Sequence, residues 1–201
     1  MLACTRALAL PAFFALAGCA STSLAETWVT PSLTAMPHFK KVFVAYLGGD
    51  ASAQRSAEDV LAKRLKGAEV VKCYELYPDA LALAPARIDP ERVKSDLRSS
   101  GCDGAVILRL ARVEQEVSWS PSSYPAHYRT FGGYWGTTYP SAMDVRTDEI
   151  VHVETNVYSL ADDKLLYAAR SETFNPGSAA AMVDEIAAAI ADDLEEKGLA
   201  R

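Results

Sequence analysis

The stretch Phe39 to Leu47 (FKKVFVAYL), with the turn Gly48-Gly49-Asp50 and the segment Ser52 to Lys66 behind it, decides the fold class. The first stretch has the β-branched and aromatic content of a strand, and the two glycines end it. In the segment after the turn, apolar residues recur at spacings of three and four: Ala57, Val60, Leu61 and Leu65. This spacing predicts a helix with one apolar face, so the chain opens as an α/β unit.

The alternation of strands and helices continues beyond this unit. Ala68 to Leu76 (AEVVKCYEL) predicts a second strand. Asp89-Pro90-Glu91 predicts a helix start, because Asp is a favoured N-cap and Pro suits the first helical position. Ala105 to Leu110 is almost continuously apolar, which predicts a strand buried on both faces. The strand then alternates, with Val113, Gln115, Val117 and Trp119 on one side, and we expect this second half to project past the core.

The last part of the chain predicts a hairpin and a helix. Asp148 to Leu160 alternates, and Lys164 to Thr173 is the expected returning strand of an antiparallel pair. Asn175-Pro176-Gly177-Ser178 is expected to end the sheet and start the closing helix, which an apolar stripe between Met182 and Leu194 predicts. The element order is therefore β-α-β-α-β-β-β-α. It predicts an α/β fold with a single mixed sheet, parallel in its first half and closed by an antiparallel hairpin.

An apolar run, Ala7 to Leu16, ends in Leu16-Ala17-Gly18-Cys19. The run is shorter than the ~20 apolar residues that span a bilayer, and it has the size of a signal-peptide core. An ordinary secretory signal is one alternative, since Ser23-Leu24-Ala25 offers a cleavage site, and a first transmembrane helix is another. The Leu-Ala-Gly-Cys pattern is more specific than either, and it resembles the signal of bacterial lipoproteins.

The resemblance to lipoproteins implies three parts. Residues 1–18 are a signal peptide that is removed, and Cys19 receives diacylglycerol and an amino-terminal acyl chain such as palmitate. Residues 19–38, rich in Ser, Thr and Pro, form a tether, and residues 39–201 form a periplasmic α/β domain. Ala20 stands where Asp typically retains lipoproteins in the inner membrane. We therefore expect a lipid anchor in the outer membrane, facing the periplasm, and three acyl chains suffice for stable anchoring.

The composition excludes one class of partner and leaves one question about cysteines open. Hydrophobic residues make up 50% and charged residues 23% of the chain, as in ordinary globular proteins. The net charge is −6 and no run of Lys or Arg occurs, so we expect no nucleic-acid partner. Cys73 and Cys102 either form a disulfide, which the periplasm permits, or remain two buried thiols.

Motifs for catalysis are sparse. The chain has no Gly-x-Ser-x-Gly elbow, and Gly48-Gly49-Asp50 lacks the spacing of a phosphate loop. His152 and Glu154 lie two apart on a strand and therefore share a face. They are either a proton-transfer pair or metal ligands, or they lie on the solvated side of the hairpin, which is the commoner arrangement. We expect no enzymatic activity, no cofactor and no metal site.

The segment Ser118 to Pro140 (SWSPSSYPAHYRTFGGYWGTTYP) differs from the rest of the chain in composition. Arg129 is its only charged residue, and Pro and Gly exclude a regular helix. It holds seven aromatic residues: Trp119, Tyr124, Tyr128, Phe131, Tyr134, Trp135 and Tyr139. We expect a loop that binds a protein, a glycan or the membrane interface, because aromatic rings supply large contact areas. The alternative is an aromatic hairpin or flap that packs on its own sheet.

The lipoprotein signal, the strand and helix from Phe39 to Lys66, Gly101-Cys102-Asp103-Gly104 and the hairpin Glu154 to Ala169 together resemble a family of proteins. These are the uncharacterised bacterial outer-membrane lipoproteins with small α/β domains. The element order over residues 39–200 is also similar to the amino-terminal domain of TolB and the periplasmic domain of the curli-secretion lipoprotein. The resemblance implies a non-enzymatic binding or assembly role in the envelope, with an envelope protein or glycan as partner. Two alternatives are a periplasmic hydrolase or metal-dependent enzyme using His152 and Glu154, and a structural lipoprotein that self-associates.

Overall fold

The computed structural model describes residues 22–78, 89–121 and 143–200. This part of the chain holds six strands and four helices. In chain order they are β1 Thr22–Val29, β2 Lys41–Leu47, α1 Ala51–Arg64, β3 Glu69–Lys72, α2 Cys73–Leu76, α3 Pro90–Ser99, β4 Gly104–Pro121, β5 Met143–Ser159, β6 Lys164–Phe174 and α4 Ala179–Glu196. None of these described helices combines the length and the apolar character needed to cross a bilayer.

All six strands belong to one sheet with the order β1-β6-β5-β4-β2-β3. Strand β2 pairs in parallel with β3 and β4. The pairs β4–β5, β5–β6 and β1–β6 are antiparallel. The mixed α/β sheet predicted from the sequence is therefore confirmed, but the predicted element order is incomplete, and two elements differ.

The first difference is β1, which lies in the stretch for which the sequence predicted a tether over residues 19–38. Thr22 to Val29 forms an edge strand antiparallel to β6, and Leu24 and Val29 pack against the core of the sheet. The pairing shifts register between Leu24 and Glu26. This bulge inserts one residue, so the inward and outward positions change phase within the strand. A search for strict alternation does not recognise such a strand.

The second difference concerns the strand predicted over Ala68 to Leu76. The structure forms a strand only over Glu69–Lys72 and turns into the short helix α2 at Cys73. The backbone N–H of Tyr74, in the first turn of α2, donates to the carboxylate of Glu58 on α1 at 3.0 Å. A contact from a different element thus ends the strand, because tertiary interactions override local β propensity.

Helices cover one face of the sheet and half of the other. On the first face, α1 and α4 pack on the main core, whose most buried members include Val44, Leu108, Val153, Tyr167 and Ile186. On the opposite face, a second core lies beside α2 and α3 and contains Phe43, Ala45, Cys73, Leu97, Cys102 and Ala105. Cys73 and Cys102 are both free and buried, so of the two alternatives, a disulfide or two thiols, the structure has the two buried thiols. The rest of the second face, on β5, β6 and β1, carries no described helix.

Helix starts follow the sequence signals. The Asp50 side chain accepts hydrogen bonds from Ser52 N and Ala53 N, at 2.9 and 2.8 Å, and so caps α1. Asp89 accepts from Glu91 N in the same way, and Ser178 accepts from Ala181 N at the start of α4. These side chains satisfy N–H groups that have no partner within the helix. The predicted starts of the second and last helices are therefore confirmed.

Strands β4 and β5 are 18 and 17 residues long, and their far halves leave the sheet. The pairing of β4 with β2 ends at Arg109, and the pairing of β5 with β6 begins at Ile150. Residues 115–121 and 143–149 therefore form a two-stranded ribbon with no third strand beside it among the described residues. The prediction that the second half of β4 projects past the core is confirmed.

Candidate functional site

The ribbon leads into the aromatic segment. Trp119 lies on β4, opposite Val145 in the register, and Pro121 pairs with Met143. Residues 118–121 are thus strand, which corrects the predicted start of the loop at Ser118. The remaining predicted contact residues, Tyr124, Tyr128, Phe131, Tyr134, Trp135 and Tyr139, lie outside the described residues, as does the predicted lipidation site Cys19. The two ends of the intervening segment are held at neighbouring positions by the ribbon.

Where β4 enters the ribbon, one of its sides carries two exposed valines. Val113 is 46% and Val117 49% exposed, although both lie in a paired strand. Between them, Glu114 and Glu116 take the alternate positions on the other side, and Glu114 forms an ion pair with Arg112 at 2.7 Å. Successive side chains of a strand point to opposite faces, so Val113, Gln115 and Val117 share one side of β4 and the charged residues lie on the other. Glu149 of β5 is opposite Gln115 in the register and therefore lies on the side of the valines.

His152 and Glu154 share the face of β5 opposite the main core, as predicted, but they do not converge. The imidazole of His152 lies 3.5 Å from Glu172 Oε1 through Nδ1 and 3.6 Å from Glu114 Oε2 through Nε2. Glu154 instead pairs with Arg109 at 2.5 Å. The expectation that both lie on a solvated surface is wrong for His152, which is buried. The carboxylates of Glu114 and Glu172, from the neighbouring strands β4 and β6, flank the imidazole.

A ladder of alternating charges crosses the uncovered half of this face. Glu26 pairs with Arg170 at 3.1 Å, Arg170 with Glu154 at 3.9 Å, and Glu154 with Arg109. The four residues come from β1, β6, β5 and β4, and each pair is directly opposite in the register. Opposite charges at such positions stabilise strand pairing modestly, and solvent screens them. This pairing accounts for Glu154 without a catalytic role.

The charged group with the deepest burial is Glu58, which sequence reasoning missed. Its side chain is fully buried and accepts hydrogen bonds from Tyr46 N at 3.1 Å, Gln54 Nε2 at 2.7 Å and Tyr74 N at 3.0 Å. Burial raises the pKa of the carboxyl group, and the hydrogen bonds oppose that rise. Glu58 thereby joins α1 to β2 and α2. The sequence feature that indicates this burial is the position of Glu58 three residues before Leu61, on the buried side of α1.

Two of the cavities that border the sheet in the described part of the chain lie beneath helices. A cavity of about 700 Å³ lies between α3 and the second core, with Phe43, Ile107, Tyr77 and Tyr158 among its apolar walls. A second, of about 380 Å³, lies between α1, α4 and the main core. The Thr155 hydroxyl borders this second cavity and has no hydrogen-bond partner among the described residues. No group of three or more His, Cys, Asp or Glu side chains in the described part is arranged to hold a metal ion.

Comparison with known proteins yields structural likenesses only. No protein-family model matches the chain, and the search of curated proteins finds no match. The fold is similar to the PelC dodecamer from Paraburkholderia phytofirmans, with 14% identity, 90% of this chain and 99% of that chain covered, and a TM-score of 0.44. It is also similar to lipoprotein GNA1162 from Neisseria meningitidis, with 12% identity, 78% and 99% covered, and a TM-score of 0.40. Likenesses of this degree carry no information about activity.

Proposed function

We propose that this chain is a lipid-anchored, non-enzymatic binding or assembly protein of the bacterial cell envelope, and that the ribbon presents its contact surface. The observation that carries the proposal is the extension of β4 and β5 beyond the sheet, with Val117 exposed on the ribbon and Val113 exposed just before the ribbon begins. Isolated two-stranded ribbons are marginally stable in water, and exposed apolar surface on a folded domain marks interaction sites. A strand pair of this length is therefore best explained by the partner it contacts.

The sequence at the tip of the ribbon supports a binding role. The segment that joins Pro121 to Met143 contains six aromatic residues and one charged residue, Arg129. Aromatic residues are enriched where proteins bind one another, and their rings also stack on sugars. An envelope protein or a glycan is the partner class that we propose.

The proposed lipid anchor is based on the motif Leu16-Ala17-Gly18-Cys19. The proposed location in the outer membrane is based on Ala20, the residue that follows Cys19. The non-enzymatic part of the proposal draws support from the two residues that a hydrolase would have used. His152 and Glu154 are engaged with different partners on the sheet, so the two residues do not form an acid–base pair with each other. Self-association remains an outcome that the experiment below distinguishes.

The test is site-specific photo-crosslinking in living cells. A photoreactive amino acid replaces Tyr134 in one variant and Lys63, an exposed residue of α1 far from the ribbon, in a control. We expect a discrete adduct from position 134 only, and the adduct mass identifies the partner. An adduct of twice the chain mass indicates self-association. The absence of any adduct at position 134 in folded, membrane-bound protein contradicts the proposal.

A matched deletion removes the segment without disturbing the sheet. Pro121 and Met143 are directly paired, so a two-residue Asn-Gly link closes the hairpin as a type I′ turn. We expect this variant to keep its circular dichroism spectrum and to lose the partner in co-purification. Cys19→Ser is expected to release the protein from the membrane fraction. Retention of Cys19→Ser in the membrane without acyl labelling would contradict the anchor.

A further inference from the structure

We propose that residues 79–88 of this chain fill the apolar cavity between α3 and the sheet, with the side chains of Leu81 and Leu83 inserted between its walls. These residues join α2 to α3 and lie between the described ranges 22–78 and 89–121. The inference is independent of the proposed function, because neither the lipid anchor nor the ribbon enters into it. It assigns the cavity to the chain itself and leaves no room there for a small-molecule ligand.

The cavity lies between two apolar walls. One wall is the sheet, where Phe43 and Ala45 of β2 and Ile107 of β4 border the space. The other wall is α3, through Val93 and Leu97. The space between them measures about 700 Å³. A dry apolar cavity of only about 150 Å³ already takes up benzene, and a void destabilises a domain in proportion to its volume. An apolar occupant is therefore expected here.

The polar side chains that border the cavity already have partners within the domain. Gln54 donates to Glu58, Lys94 pairs with Asp163, and Arg109 pairs with Glu154. Among the described residues that line the cavity, every charged side chain is thus engaged in an ion pair. No free charge is left to recognise an ionic ligand, so the occupant has to contribute mainly apolar surface.

Both ends of the segment 79–88 lie at this cavity. Tyr77, two residues before the segment, and Pro90, two residues after it, are wall residues. The Tyr77 hydroxyl donates to Asp96 on α3 at 3.0 Å and holds this end beside the helix. From Pro78 to Asp89 an extended chain reaches at most about 40 Å, which is enough to enter the cavity and return. A segment tethered at both ends also has a high effective concentration, which a free ligand would have to exceed.

The segment has the composition that this cavity requires. Its sequence is Asp-Ala-Leu-Ala-Leu-Ala-Pro-Ala-Arg-Ile, in which only Asp79 and Arg87 are charged. Leucine and alanine alternate in its first half, so in an extended backbone Leu81 and Leu83 share one side and the small alanines take the other. Transfer of the leucines from water to a space between apolar walls is favourable, whereas a solvated loop gains nothing from them.

The first experiment records methyl NOE contacts in the full chain, held in detergent micelles and labelled with ¹³C at leucine, valine and isoleucine methyl groups. We expect cross-peaks from Leu81 and Leu83 to the methyl groups of Val93 and Ile107 on opposite walls. The pair Val93 and Leu97, one turn apart on α3, is the internal control for detection. Cross-peaks from the wall methyl groups to detergent or to a co-purified molecule, in place of the two leucines, overturn the inference.

The second experiment uses the thiols that the chain already contains. Cys73 lines the cavity, whereas Cys102 is buried in the same core but is not one of its described lining residues. Leu83→Asp is compared with Ala82→Asp, which places the same charge one residue away. We expect a small maleimide to label Cys73 at least about tenfold faster in Leu83→Asp, since a charge replaces a buried leucine, and Cys102 to stay protected in both.

Equal labelling of Cys73 in the two variants overturns the inference. Labelling of Cys102 in Leu83→Asp would show that this variant has unfolded, and Leu83→Ala, compared with the natural chain, then takes its place. The proposed function is tested separately by the crosslink from position 134, because that experiment does not involve the cavity.

Discussion

Replacement of Glu58 by Ala is expected to cost more stability than any surface substitution in this chain. The carboxylate is fully buried and accepts hydrogen bonds from Tyr46 N, Tyr74 N and Gln54 Nε2. Alanine leaves these three donors without their acceptor. A buried donor that loses its partner costs about 1–3 kcal/mol, so three such donors give an expected loss in the free energy of unfolding of roughly 3–9 kcal/mol.

Urea unfolding followed by tryptophan fluorescence measures this loss. Glu195→Ala is the control, because Glu195 is an exposed glutamate on α4, and its replacement should change the free energy of unfolding by less than about 0.5 kcal/mol. The reasoning is refuted if Glu58→Ala unfolds within about 1 kcal/mol of the control, a result that would mean that water or a rearranged backbone replaces the carboxylate.

The same residue predicts a dependence of stability on pH. Burial raises the pKa of Glu58 in the folded state, so the folded chain holds this proton at pH values where the unfolded chain has released it. The folded state binds more protons in that window, and the stability that Glu58 contributes falls as pH rises above the unfolded pKa. Glu58→Gln removes the titration. We therefore expect the stability of the natural chain relative to Glu58→Gln to decline as pH increases from about 4.3. A constant difference across that range would contradict the raised pKa.

Two further predictions concern packing. Burial raises the pKa of the Cys73 thiol to about 12 and also raises that of Cys102, so a thiol reagent at pH 8 should react with neither in the folded chain and with both in urea. Failure to react in urea without reductant would indicate a disulfide. A Cβ atom on Gly104 would lie 2.7 Å from the Phe39 ring, so Gly104→Ala should lower the free energy of unfolding by about 1–3 kcal/mol. Gly177→Ala, with no atom within 4 Å of the added Cβ, should leave it almost unchanged, and equal effects of the two substitutions would argue against the close contact.

The missed edge strand shows where sequence patterns fail. In β1, inward positions occur at Thr22 and Leu24 and again at Thr27 and Val29, with a bulge between the two pairs. Each half is too short to be recognised as an alternating run. The strand exists because β6 offers it an unpaired edge, and that edge is supplied by residues more than 130 positions further along the chain.

The candidate site was only partly accessible to sequence reasoning. The alternation of Val113 and Val117 with charged residues predicted a strand with two different sides, and the structure confirms it. The burial of His152 was not predicted, because it depends on Glu114 and Glu172 from the two neighbouring strands. Glu58 escaped notice for a related reason, since its donors lie on three different elements.

The sequence by itself determined the local features of this protein. It specified which side of each long strand is apolar, where α3 and α4 begin through Asp89 and Ser178, and the lipoprotein-like signal that ends at Cys19. Such features depend on residues a few positions apart, so periodicity and capping reveal them. The tertiary structure alone decided the order of the strands, the docking of β1 on β6, and the placement of Thr22 at the end from which the ribbon projects. These features depend on pairing between distant segments. The backbone hydrogen bonds of such pairs are the same whatever the sequence, so they do not favour one pairing over another. Only the packing of the complete chain selects among the possible pairings.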